Sequence, residues 1–82
     1  MNFFTMVGSN KIRISKEGIA AFNRVWPCST LRSSRAYWFE FEDSGDLVDT
    51  DVPEHDDGPA ASALADDARE FLFNSDLPSW AD

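Results

Sequence analysis

One cysteine, one histidine and no long apolar run set the first limits on this chain of 82 residues. With Cys28 alone, no internal disulfide forms and no cysteine-based zinc site can be built. With His55 as the single histidine, Cys28, Ser29, Ser33 and Ser34 lack the activating base that a nucleophile needs, so no enzyme is expected. No stretch approaches the ~20 apolar residues that cross a bilayer. Met1 to Val7 lack the basic start and apolar run of a signal peptide, so a cytoplasmic protein away from membranes is expected. Basic residues are scarce as well. Seven Lys and Arg against 15 Asp and Glu give a net charge of −8 and a pI near 4.3, which argues against direct binding to nucleic acid.

What the chain does have is charge sorted along its length. Residues 1–38 carry Lys11, Arg13, Lys16, Arg24, Arg32 and Arg35 against Glu17, a local balance of +5. Residues 39–82 carry fourteen acids against Arg69, a local balance of −13, and nine of those acids fall between Glu40 and Asp57. Such a field speaks of partners and solubility more than of fold. A 43% apolar and 13% aromatic content belongs to a folded domain, not to an acidic disordered tail.

Periodicity gives the elements. Asn2 to Val7, the turn Gly8-Ser9-Asn10 and the alternating Lys11-Ile12-Arg13-Ile14 read as a first β-hairpin. Ser15 is placed to cap a helix from Lys16 that carries Ile19, Phe22 and Trp26 on one stripe, weakened at its start by Gly18 and stopped by Pro27. After a polar connection, Tyr37, Phe39 and Phe41 alternate with Trp38, Glu40 and Glu42, and Val48, Thr50 and Val52 return after a tight turn. With Ser44-Gly45 as a two-residue tip, Phe41 faces Val48, Phe39 faces Thr50, Glu42 faces Leu47 and Glu40 faces Asp49. Glu54 to Gly58 reads as an acidic loop, and residues 59–73, opened by Pro59, read as an amphipathic helix. The expectation is one α+β domain over residues 1–75 with a short tail over 76–82. Its order ββαββα gives a four-stranded antiparallel sheet with both helices on one face.

That arrangement sets Glu40 and Glu42 beside Asp49 and Asp51 on the uncovered side, with Trp38 among them. Glu40 directly opposite Asp49 costs stability, so the charges are candidates for a partner rather than for the fold. The candidate partner-binding set is Trp38, Glu40, Glu42, Asp43, Asp46, Asp49, Asp51, Glu54, Asp56 and Asp57. Lys11 and Arg13, on the same side of the first hairpin, are the internal competitors for those acids. No cofactor or metal is expected. The acids around His55 are consecutive and do not converge on one ion, and Asp49-x-Asp51 runs into Pro53 and Glu54 where a calcium loop needs other residues.

Short length, a pI near 4, the compact α+β plan and acids concentrated from Glu40 to Asp57 resemble small phage-encoded inhibitors, the anti-CRISPR proteins and DNA mimics. The resemblance implies stoichiometric binding to a basic, nucleic-acid-binding surface of another protein. The alternative, from the charge sorting, is an accessory module that forms a salt-dependent homodimer through its oppositely charged halves.

Overall fold

The computed structural model describes residues 3–27, 29, 31–32, 35–52, 54–78 and 80, with the backbone alone for residues 54–57. Asn2, Cys28, Ser33, Ser34 and Pro53, which enter the expectations above, lie outside the described residues. Strands β1 (Phe4–Gly8) and β2 (Lys11–Ile14) make the first hairpin, followed by helix α1 (Lys16–Val25). Strands β3 (Tyr37–Phe41) and β4 (Leu47–Thr50) make the second, followed by helix α2 (Glu54–Asn74). The sheet runs β1-β2-β3-β4 in chain order with every pair antiparallel. This is the expected α+β fold of order ββαββα.

Alternation decides which side is covered. Phe4, Ile12, Ile14, Tyr37, Phe39 and Phe41 point inward and share one buried cluster with Ile19 and Phe22 of α1 and Ala60, Leu64 and Ala68 of α2. Full burial of side chains such as Phe22, Phe39 and Leu64 is worth roughly 1.5–3 kcal/mol each. The buried face of α2 sets the two small side chains, Ala60 and Ala68, on either side of the large Leu64. Trp80 folds back from the tail onto this core, its ring 5.6 Å from Phe4 and 5.5 Å from Phe22.

Helix α1 is capped as its sequence suggests. Ser15 Oγ accepts from the Gly18 amide at 3.1 Å, and Glu17 and Arg24 sit at the ends where the helix dipole favours their charges. The glycine that weakens the helix start has a tertiary reason. A Cβ at Gly18 would stand 2.5 Å from Ile14 Cγ1 and 2.7 Å from Phe3 Cβ, so only hydrogen fits where α1 crosses the sheet.

Two expectations are corrected. Residues Glu54 to Asp57 are a helical turn rather than a loop, joined to the rest of α2 across Gly58 (φ 33°, ψ −111°). A positive φ is open to glycine without penalty. Pro59 then begins the second helical segment, where a missing amide costs nothing. The second correction concerns the β3–β4 hairpin. Its tip has three residues, Asp43-Ser44-Gly45: the Glu42 amide donates to the Asp46 carbonyl at 2.8 Å and the Gly45 amide to the Glu42 carbonyl at 2.9 Å. Gly45 takes the left-handed position (φ 94°) that such loops require.

The longer tip slips the register by one, so Phe41 faces Leu47, not Val48. A bulge between Phe41 and Glu40 absorbs the slip, and Glu40 faces Asp49 and Phe39 faces Thr50 as expected. Val48 is the surplus residue and is exposed rather than packed. Gly18→Ala tests the close approach of α1. Overpacking against Ile14 and Phe3 should outweigh the gain in helix propensity and destabilise the protein by ~1–3 kcal/mol in urea unfolding. A variant as stable as the parent would contradict it.

Candidate interaction surface

Among the described residues no helix covers the other side of the sheet, and the cross-strand pairing spells out what it carries. One row runs Thr5, Arg13, Trp38; the next runs Lys11, Glu40, Asp49. The open face is therefore basic on β2 and acidic on β3 and β4. The acidic side continues into the hairpin end, where Glu42, Asp43 and Asp46 are all exposed.

The acids divide by what they bind. Asp51 belongs to the fold: its Oδ1 accepts from the Trp38 amide at 2.9 Å and its Oδ2 from Arg35 Nη2 at 2.7 Å. Thr50 Oγ1 donates to the Trp38 carbonyl at 2.8 Å, so side chains replace the main-chain ladder where β4 leaves the sheet. Arg35 also lies 4.7 Å over the Tyr37 ring. Asp43 accepts from Asn10 Nδ2 at 2.6 Å, tying the two hairpin tips together. Ser44 Oγ sits 3.3 Å from both Glu42 Oε2 and Asp46 Oδ2. Among the described residues Asp49 bonds the amide of Thr50 next to it, at 2.8 Å.

Internal neutralisation is slight on this face. Lys11 is the cross-strand neighbour of Glu40, yet its ammonium lies 4.2 Å over the Trp38 ring, held by the ring's negative face. Trp38, the expected anchor, is therefore half-buried beneath Lys11. Among the described residues the ion pairs are Arg35–Asp51 and Arg69–Asp66, and neither includes Glu40, Glu42, Asp43, Asp46 or Asp49. Nor do three or more His, Cys, Asp or Glu among them gather closely enough to hold a metal ion. The side chains of Glu54, Asp56 and Asp57 lie outside the described residues. Among those described, no helix is long and apolar enough to cross a membrane.

One acid elsewhere is perturbed, and sequence patterning gave no hint of it. Burial holds the Asp67 carboxyl above the usual aspartate range, and the charges of Asp66 and Glu70 add to the effect. A hydrogen bond from Trp80 Nε1 at 3.0 Å pulls the other way. Asp67 thus fastens the C-terminal segment at an electrostatic cost.

Comparison with protein-family models, curated proteins and solved structures gives no match to this chain. No residue takes a role from a relative, and geometry alone separates fold-holding acids from presented ones.

Two measurements check that separation. Asp51→Ala leaves the Trp38 amide unpaired and should cost ~1–3 kcal/mol in urea unfolding, whereas Asp49→Asn should stay within ~0.5 kcal/mol of the parent. Equal effects would undo the distinction. For Asp67, a pKa raised in the fold means that the folded state holds the proton more tightly than the unfolded chain. Its stabilising contribution is complete below the ordinary aspartate value and is lost as pH rises through the raised one. Asp67→Asn keeps an acceptor for Trp80 without the charge. It should melt higher than the parent at pH 7, with the difference shrinking on acidification; a lower Tm at pH 7 would refute the assignment.

Proposed function

We propose that this protein is a non-catalytic binder that occupies a basic, nucleic-acid-binding surface of a partner protein by presenting carboxylates where phosphates would lie. The observation that carries the reading is the group Glu40, Glu42, Asp43, Asp46 and Asp49. These acids are exposed together on one ordered hairpin and take part in no ion pair among the described residues. Glu40 and Asp49 are direct cross-strand neighbours, a like-charge pair that costs the fold from a few tenths to about 1 kcal/mol. Solubility alone does not require two acids opposite one another. Alternate residues along a strand stand ~6.6 Å apart, which gives the charges a fixed spacing instead of a diffuse cloud. Association with a basic surface would be fast at low salt and strongly screened at high salt.

A second reading, self-association, has its own support in the divided open face. A copy turned about a two-fold axis could set Lys11 and Arg13 of one molecule against Glu40 and Asp49 of the other. Sedimentation at low salt separates the two: a monomer favours the heterologous partner, a dimer that dissolves with salt favours the homodimer.

The direct test neutralises rather than reverses the charges, since Lys at position 40 would stand beside Lys11. The triple variant Glu40→Gln, Glu42→Gln, Asp49→Asn should be at least as stable as the parent, because the cross-strand repulsion is gone. It should lose the salt-elutable protein captured from a lysate of the source organism by the immobilised parent. Capture undiminished in the folded variant would overturn the proposal.

A further inference from the structure

Among the described residues no strand pairs with β4 on the side away from β3, so β4 is an edge strand. Phe41 donates its amide to Asn10, on the β2 side, and Leu47 stands opposite Phe41. By the alternation of an antiparallel ladder, Leu47 turns its own amide and carbonyl away from β3. Thr50, opposite Phe39, turns the same way; Asp49 Oδ1 meets its amide, which leaves its carbonyl. Along the helix side of this edge runs a groove of about 330 Å³, walled by Leu47 and Val52 on one side and by Ala61, Ser62 and Ala65 of α2 on the other. Leu47 and Val48 are about half exposed, an unusual amount of apolar surface for an edge strand. Asp49 stands on the open face of the same strand, and Asp66 on the helix rim of the groove.

A strand laid against β4 would meet these two sides alternately. Its inward residues would lie over the groove and its outward residues beside Asp49, with Glu40 one strand further in. We propose that β4 takes up an extended segment as a fifth strand, one that alternates branched apolar residues, set into the groove, with Lys or Arg, set against the open-face acids. This rests on the binding reading above and adds to it the part of the partner that is held. Charge complementarity selects the occupant. A second β4 paired antiparallel would bring Asp46 and Asp49 against the same acids, and β1 of another copy, Phe4-Thr5-Met6-Val7-Gly8, has no cation to offer them.

The probe is a capped synthetic peptide alternating lysine and valine, titrated into the isotope-labelled full chain at low salt with amide shifts as readout. The expected result is binding, with shifts centred on Leu47, Thr50 and the Ala61–Ala65 turn of α2. A peptide N-methylated on alternate residues keeps charge and shape but loses the hydrogen bonds to Leu47 and Thr50. It should bind about tenfold or more weakly, the loss of roughly 1.4 kcal/mol. Ser62→Phe, at an exposed position, should fill the groove and weaken the plain peptide to a similar degree. Equal binding by the plain and N-methylated peptides would overturn strand addition while leaving the acidic hairpin as a cation-binding surface. No binding of either peptide at low salt would remove both proposals. A dimer that blocks β4 in the peptide-free protein would assign the edge to a second copy and overturn the basic-segment occupant.

Discussion

Tyr37, Phe39 and Phe41 must all face the helices, because α1 and α2 pack on that side of the sheet and these rings bring the core much of its apolar area. Strand β3 is hydrogen-bonded on both flanks, so its alternation is locked. A slip by one residue would put three rings into water and Trp38, Glu40 and Glu42 into the core. The positions of the presented acids are thus fixed by the rings between them. The open face inherits its order from the core: the alternation that buries the rings sets Glu40 and Glu42 on the opposite side of the same strand.

The acids of the second half do different work according to what faces them. Asp51 finds a main-chain amide and a guanidinium, and it closes the sheet where β4 runs out of ladder. Asp67 finds an indole N–H and two like charges, and it trades some stability for a docked C-terminal segment. Glu40 and Asp49 find each other. Net charge alone cannot separate these cases. Partner geometry does, and it moves Asp51 out of the group that a basic surface would meet.

Much of this was legible in the chain. The alternation of Tyr37 to Phe41, the Ser15 cap and the 3.6-residue stripe of α2 are local signals, and local signals survive into the fold. What stayed hidden was either compensated or tertiary. The three-residue tip and the Val48 bulge cancel, so residue counting returned the right register at Glu40 and Asp49 through the wrong turn. Glu54 to Gly58 reads as an acidic loop, yet the turn before Gly58 is helical and joins the rest of α2 across that glycine's non-helical backbone. Gly18 reads as a defect until Ile14 and Phe3 arrive from elsewhere to need the space. The capture of the Trp38 amide by Asp51 joins residues thirteen apart and has no periodicity to announce it. Among the candidate acids, the open-face placement of Glu40 and Asp49 was readable and the structural duty of Asp51 was not.

The three tryptophans occupy two kinds of surroundings. Trp26 and Trp80 both lie on Phe22, with ring centres 6.0 and 5.5 Å from it, while Trp38 sits alone on the open face beneath an ammonium group. Their fluorescence is accordingly divisible. Two indoles report whether the aromatic core and C-terminal segment are in place, and the third reports on the face that carries the charge. A molecule that settles on that face and displaces Lys11 alters the emission of one ring and leaves the other two as an internal standard.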